Sequence, residues 1–221
     1  NRCGDVCPAG VIMPVQSVFQ WLDGRGWLIF SGGADDEVRA LALGRSAADG
    51  AVACVSLTGN PDDLLDDIAD LGAPSGYLVD VFGEDDATLD EKLSQSGMVI
   101  IAGGEDAPHV RGALRGVALK GIQAAYENGA IILLEGYSAT AFGSWLIHET
   151  IESGLEWLIG AAVLTNVEDA AHYAKPIFAA QPEAIAVNVM TGSALALGPD
   201  GQIERWGERE VTIVLGPSFG T

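Results

Sequence analysis

An α/β fold with a mainly parallel β-sheet is the class that this sequence predicts. Short runs rich in Val, Ile and Leu alternate along the chain with segments of helix length, which is the rhythm of repeated strand and helix units. Strands that are apolar along their whole length are buried on both faces, so helices must lie above and below the sheet. We expect a three-layer, doubly wound domain of the flavodoxin-like type that spans residues 1–221, with a loosely anchored segment at residues 1–20.

The predicted elements follow this rhythm in order. The first strands are expected at residues 27–30, 51–57, 77–82, 98–102 and 130–134. Helical spacing of apolar residues predicts helices at residues 35–48, 61–71, 86–94 and 112–127. Shorter strands are expected at residues 161–164, 185–189, 194–197 and 211–215, and the turn Gly198-Pro199-Asp200-Gly201 joins two of them. We therefore expect the C-terminal part to form a mixed edge of the sheet.

The charge of the chain is strongly negative, with 31 Asp and Glu against 11 Lys and Arg and a formal net charge of −20. Such a surface repels nucleic-acid phosphates and anionic lipid headgroups, so neither is an expected partner. A small peptide or another small molecule is the expected ligand, and a homodimer is compatible with this kind of fold. The acidity leaves two explanations open: attraction of cationic substrates, and adaptation to a salty or warm habitat.

Neither a membrane span nor a signal peptide is recognisable, so we expect a cytoplasmic protein, although a processed leader stays open. The three cysteines predict no disulfide framework. Cys54 lies in an apolar run, where a small buried thiol is the ordinary explanation. Cys3 and Cys7 either pair locally or lie in a frayed end, and no second Cys or His cluster completes a metal site. We expect no metal or other cofactor.

The strongest chemical signal lies in residues 130–143, where an apolar strand runs into a turn of small residues and then into a helix. This is the shape of a nucleophile elbow, in which a Ser on a sharp strand-to-helix turn projects its hydroxyl into solvent. Ser138 is the predicted nucleophile and Tyr137 beside it a predicted pocket residue. Gly136 meets the demand for a small residue before the nucleophile, and Thr140 meets the demand after it only loosely.

The same turn and its neighbour predict the donors that would hold an oxyanion. The Ala139 amide at the start of the following helix is the first expected donor, and Gly104, in the Gly103-Gly104 turn that ends the preceding strand, is the second. Glu105 and Glu135 stand at neighbouring strand ends and are counted with the pocket. A paired-carboxylate or metal site is an alternative for them, but electrostatic tuning or solvation at the rim is favoured.

These motifs resemble the cyanophycinase and dipeptidase E family of serine peptidases, which has a class I glutamine amidotransferase-like fold. The family shows an apolar strand that ends in Gly-Gly and an elbow written Gly-x-Ser-Ala-Gly. The matching segments here read Val99-Ile-Ile-Ala-Gly-Gly-Glu-Asp and Gly136-Tyr-Ser-Ala-Thr-Ala, and the resemblance extends from Trp27 to about Leu215. It implies a serine hydrolase of the peptidase type that acts on small acidic or isoaspartyl peptides.

The resemblance also implies a catalytic His and an acidic residue, but the sequence departs from the family at both. Asn166 and Val167 fall where the family carries its His, and residues 188–194 offer no carboxylate where cyanophycinases have one. His172, oriented by Glu168 or Asp169, is the expected substitute base, against the alternative of an exposed or capping His.

Two other histidines are weighed as well. His109 is counted with the pocket, against the alternative of a loop His without a role. His148 is rejected, because on one continuous helix it would lie about 15 Å beyond Ser138. Two functions therefore stay open: a serine hydrolase, and a pseudoenzyme of the same fold that binds a ligand or partner.

Overall fold

The structure is a computed structural model that describes residues 18–46 and 50–220, so the predicted alternatives for Cys3 and Cys7 lie outside the described residues. Its strands are β1 Gln20–Trp21, β2 Trp27–Ser31, β3 Val52–Ser56, β4 Gly76–Leu78, β5 Met98–Ala102, β6 Ile131–Glu135, β7 Trp145–Ile147, β8 Ile151–Ser153, β9 Leu158–Ile159, β10 Ala161–Thr165, β11 Ile185–Val189, β12 Ser193–Leu197, β13 Ile203–Gly207 and β14 Val211–Leu215. Its helices are α1 Asp36–Arg45, α2 Pro61–Asp70, α3 Asp86–Ser94, α4 Ala107–Leu114, α5 Val117–Glu127, α6 Tyr137–Ala141, α7 Ala170–Tyr173 and α8 Lys175–Ala180.

Seven of the described strands form the main sheet, in the spatial order β13, β12, β2, β6, β5, β3 and β4. The strands from β2 to β4 in that order run parallel to one another. β12 joins β2 in antiparallel fashion, and β13 joins β12 in the same way. The structure thus confirms a mixed α/β fold with a large, mostly parallel sheet.

Two clusters of buried apolar side chains cover this sheet, because successive side chains of a strand point to opposite faces. In β2, Leu28 and Phe30 belong to one cluster, and Trp27 and Ile29 belong to the other. α1 and α2 contribute to the cluster around Ile29, while α3, α4, α5 and α6 contribute to the cluster around Phe30. None of the described helices is long and apolar enough to cross a membrane.

The C-terminal part departs from the predicted mixed edge. Only β12 and β13 extend the main sheet, whereas β10, β11 and β14 form a separate sheet in which β10 and β11 are parallel and β14 is antiparallel. The predicted turn at residues 198–201 is present, but it joins β12 to β13, a strand that the sequence analysis did not predict. Charged Glu204 and Arg205 interrupt the apolar residues of this edge strand, so a search for apolar runs does not find it.

Two other predicted elements differ from the structure. The helix expected at residues 112–127 is two helices, α4 and α5, separated at Gly116, whose φ of 98° lies in a region that glycine adopts readily. The strand expected at residues 77–82 ends at Leu78. Beyond it the Asp80 carboxylate accepts hydrogen bonds from the backbone N–H groups of Phe82 and Gly83, which turns the chain out of the sheet.

A buried ion pair joins α1 to the end of β6. Arg39 Nε and Nη2 donate to the two carboxylate oxygens of Glu135 at 2.8 and 2.9 Å, and Arg39 Nη1 donates to Asp67 of α2 at 2.7 Å. Burial alone would lower the pKa of Arg39, but the hydrogen bonds and charge of Glu135, with those of Asp67, raise it above its ordinary value. Arg39 therefore stays charged inside the protein, where its partner carboxylates hold it in a fixed geometry.

Replacement of Arg39 by Met should lower the free energy of unfolding by about 3–5 kcal/mol, because it leaves the Glu135 carboxylate buried without a partner. The matched control is Asp67→Asn, whose side chain is 55% exposed; this change should cost at most about 1 kcal/mol. Urea denaturation followed by circular dichroism measures both values. Equal losses in the two variants would contradict a dominant role for the Arg39–Glu135 pair.

The Cys54 thiol should resist alkylation in the folded protein. Desolvation is the main cause that raises its pKa to about 12, and the side chain is fully buried, so the reactive thiolate is both scarce and inaccessible. Iodoacetamide at about pH 8 should leave the Cys54 peptide unmodified in mass spectrometry until urea unfolds the chain. Modification at low urea, before the unfolding transition, would contradict this expectation.

Candidate functional site

The carboxyl ends of the parallel strands meet at one edge of the main sheet, where ligands bind in folds of this type. β2 ends beside Gly32, β3 beside Thr58, β5 beside Gly103 and Gly104, and β6 beside Gly136. The sequence analysis expects the site at this edge, and the turns that it singles out do lie there. The residues at the apex of each turn decide what chemistry the edge can support.

Gly136 occupies the sharp turn between β6 and α6. Its backbone has φ 60° and ψ −120°, and α6 begins at the next residue, Tyr137. In a nucleophile elbow the nucleophile is the residue that stands on this turn, because only there does the side chain project away from both the strand and the helix. The sequence analysis places Ser138 on the turn, but the structure places glycine there.

Ser138 lies inside α6, two residues beyond the turn, and is fully buried. Its Oγ has no hydrogen-bond partner within the described part of the chain. A buried hydroxyl cannot meet a substrate carbonyl without a rearrangement of the turn. The Gly-x-Ser motif predicts the turn at Ser138, whereas the φ of 60° falls on Gly136, because glycine adopts this conformation without strain.

The space above Gly136 is open. A Cβ atom built on this glycine would have the Gly32 carbonyl oxygen as its nearest neighbour, at 4.0 Å. The turn therefore has the backbone shape and the room for a side chain, but glycine supplies none. A glycine directly after a long apolar strand is the signal that could have identified this register from sequence, since glycine is the residue that adopts positive φ without strain.

The two predicted oxyanion donors, the amides of Gly104 and Ala139, lie in different surroundings. The Gly104 N–H donates to Thr58 Oγ1 at 2.9 Å, so that amide already has a partner. Gly103 has a φ of 78° and packs so closely on Thr58 that a Cβ would clash with it. Ala139 lies in α6 and is fully buried. The roles of Ala139 and Gly104 as donors stay predictions.

A pocket of about 510 Å³ opens beside the turn and collects several of the predicted residues. It is lined by Tyr137, Thr140, Ile147, Leu164, Thr165, Asn166, Val167, Glu168, Asp169, His172 and Tyr173. His172 and Glu168 line the same pocket as Tyr137, whereas Ser138 is not among the lining residues. The pocket combines an apolar floor with polar and aromatic side chains, which is typical of small-molecule sites.

His172 lies in α7 and is exposed. Its backbone N–H donates to the carboxylate of Asp169, which caps the helix, and its Nδ1 lies 3.4 Å from Lys175 Nζ. The contact with Lys175 links the imidazole to the first residue of α8. A role for His172 as a base, with Glu168 orienting it, stays a prediction.

Asn166 fills the position where the resemblance places a catalytic His. Its Nδ2 donates to the Gly32 carbonyl at 2.8 Å, and its Oδ1 accepts from the backbone N–H of Thr191 at 2.7 Å and from Thr191 Oγ1 at 3.0 Å. The backbone of Asn166 has a φ of 57°, a conformation that Asn tolerates better than most residues. Asn166 thus links the ends of β2 and β10 to the segment after β11, a structural task that the sequence analysis did not identify.

The two carboxylates expected at neighbouring strand ends do not form a pair. Glu135 is buried and bound to Arg39, whereas Glu105 is exposed in the turn that precedes α4. Glu135 is therefore a structural residue and not part of the pocket lining. Within residues 18–46 and 50–220, no cluster of His, Cys, Asp and Glu has the arrangement of a metal site.

His148 does not lie on the helix that carries Ser138, so the distance of about 15 Å along one helix does not apply to it. α6 ends at Ala141, and His148 follows β7 at the tip of the β7–β8 hairpin. The hairpin brings its Nε2 to 3.5 Å from Asp106 Oδ2. In the part of the chain that the structure describes, His148 and Asp106 are the one histidine–carboxylate pair whose side chains lie within 4.0 Å of each other.

His109 lies in the first turn of α4, away from the lining of the pocket. Its ring stacks on exposed Phe82, with centroids 6.1 Å apart, and its buried Nδ1 has no partner within the described residues. The expectation that His109 contacts a ligand stays a prediction, and its place next to Phe82 puts that contact at the β4 side of the edge.

Comparison with solved structures identifies the fold. A crystal structure of a peptidase from an acI-B1 Actinobacterium superposes with a TM-score of 0.71 at 13% sequence identity, covering 88% of this chain and 93% of that chain. The crystal structure of a candidate peptidase E from Listeria monocytogenes EGD-e gives a TM-score of 0.59 at 14% identity, covering 86% of this chain and 98% of that chain. No protein-family model and no curated protein matches the sequence. The chain shares the fold of these peptidase structures, which confirms the resemblance at the level of fold; membership of the cyanophycinase subfamily stays a prediction.

Replacement of Gly136 by Ala should lower the free energy of unfolding by about 1–3 kcal/mol, because a Cβ strains the backbone at this φ and ψ although the space above it is open. Gly112→Ala is the matched control, since Gly112 lies within α4 and a Cβ there would meet nothing within 4 Å. That change should stabilise the protein by about 0.5–1 kcal/mol. Thermal or urea unfolding compares the two, and a neutral Gly136→Ala would argue against the strained turn.

Proposed function

We propose that this protein binds a small ligand in the pocket beside Gly136 and does not hydrolyse it, as a pseudoenzyme of the peptidase E-like fold. The observation that carries the proposal is the glycine on the strand-to-helix turn. A covalent mechanism needs a nucleophile at that point, and an unassisted or misplaced serine is a weak one. Gly136 offers no side chain at all.

The surroundings of the turn support the same conclusion. Asn166 stands where the resemblance expects a His, and it uses both ends of its amide to bridge Gly32 and Thr191. Its amide does not act as a general base, because the nitrogen only donates and the oxygen, although it accepts hydrogen bonds, is far too weak a base to take a proton near neutral pH. The pocket nevertheless persists, with about 510 Å³ of space and aromatic, apolar and acidic side chains around it. A cavity lined by such side chains, with no nucleophile on the adjacent turn, fits binding better than turnover.

A serine hydrolase of the peptidase type is the second candidate, and the likeness of the fold to two peptidase structures favours it. In this mechanism Ser138 attacks the carbonyl of a small acidic or isoaspartyl peptide, and His172, oriented by Glu168, takes the proton. The amides of Ala139 and Gly104 hold the oxyanion. This mechanism requires α6 to shift so that the Ser138 hydroxyl leaves its buried position.

Labelling with a fluorophosphonate probe distinguishes the two functions. The wild-type protein should remain unlabelled, because no activated serine faces the pocket, while trypsin in the same reaction should label fully. Ser138→Ala and His172→Ala serve as matched variants, each checked for folding by circular dichroism. Labelling of the wild type that disappears in both variants would overturn the binding function and establish the hydrolase.

A further inference from the structure

We propose that the pocket beside Gly136 takes a small organic cation, such as a quaternary or primary amine. The inference rests on the proposed binding function and adds the chemical class of the ligand. Three properties of the pocket carry it: the sign of its charged side chains, the aromatic rings at its mouth, and the field of the surrounding protein. Each of these properties favours a cation over a neutral or anionic ligand.

The carboxylates that line the pocket are those of Glu168 and Asp169, and no Lys or Arg is found among its described lining residues. Both side chains are exposed at the rim. Asp169 accepts one hydrogen bond as the cap of α7 and keeps further acceptor capacity. Lys175, which approaches His172 Nδ1, does not line the pocket. An anion in this pocket would meet two carboxylates of like charge and no Lys or Arg among the described lining residues.

Two tyrosines line the pocket, and their rings can attract a cationic ligand through cation–π interactions that a neutral or anionic ligand does not make. Tyr137 and Tyr173 both line the pocket, and they are 50% and 49% exposed, which is unusual for such large rings. The face of an aromatic ring attracts ammonium groups through its quadrupole. Ile147 and Leu164 supply an apolar floor for the carbon part of the ligand. Aromatic rings with nearby carboxylates are the combination that recognises alkylammonium groups.

The whole chain reinforces the local preference. A formal net charge of −20 produces a negative potential that raises the local concentration of cations, and a cleft focuses that potential. Because the same potential repels carboxylates, the structure fits a cationic ligand better than the acidic peptides that the family resemblance implies.

Three probes of the same shape and different charge test the inference. They are choline, its neutral carbon analogue tert-butylethanol and the carboxylate anion of tert-butylacetic acid. Each is titrated into the wild-type protein and followed by ligand-observed NMR at low salt. Choline should bind at least about tenfold more tightly than the neutral analogue, and the anion should show no binding. Equal binding of choline and tert-butylethanol, preference for the anion, or no binding of choline would each overturn the inference.

Variants locate the effect in the pocket. Glu168→Gln should weaken choline binding about threefold or more, whereas Glu91→Gln, at an exposed position of α3 outside the pocket lining, should change it little. Tyr137→Leu should weaken choline binding and leave tert-butylethanol unaffected, and Tyr137→Phe, which keeps the ring, should restore it. Identical losses in Glu168→Gln and Glu91→Gln would place the effect in the overall charge and overturn the assignment to this pocket.

The test of the ligand class and the test of the proposed binding function can fail independently of each other. Fluorophosphonate labelling of Ser138 would overturn the binding function whatever the three probes do. Loss of the charge preference in an unlabelled protein would overturn the cationic ligand alone.

Discussion

The contact between Arg39 and Glu135 is the constraint on which the candidate site depends. Glu135 is the last residue of β6, so a carboxylate stands where the central strand leaves the sheet, and Arg39 of α1 neutralises it through two hydrogen bonds. An unpaired carboxylate at this depth would be costly, whereas the paired one extends the strand by a residue. The turn follows this pair directly: Gly136 lies on the turn, and Ser138 lies inside α6.

The glycine on the turn underlies the proposal that this chain, although it shares the fold of peptidases, binds a ligand without hydrolysing it. The edge of the sheet keeps its glycine turns, its short helix and a pocket beside them, and those features come from backbone geometry. Catalysis depends in addition on one side chain at one backbone position, and the position is occupied by glycine. The neighbouring Asn166 is then free to act as a bridge between the two sheets.

Much of the fold was predictable from the sequence because its strands are short apolar runs that stand out against polar helices. The strands at residues 52–56, 98–102 and 185–189 lie where the hydrophobic pattern places them. Predictions were wrong where a tertiary contact or a single backbone angle decides the outcome. Gly116 splits a helix that is periodic throughout, and β13 is an edge strand with charged side chains. In the candidate site, the Arg39 partner of Glu135 is remote in sequence, so nothing local reveals that the strand includes a charge.

The position of β2 in the main sheet has a consequence for how the chain is made. β2 is among the first strands in sequence, yet its neighbours are β6 on one side and β12 on the other, and Ser31 pairs with both Glu135 and Ala194. Both edges of β2 can therefore be paired only after β12 has emerged from the ribosome. Such distant pairing makes folding slow and leaves an apolar strand open to other chains in the meantime. Synthesis rate and chaperone access, more than final stability, would then govern the yield of folded protein.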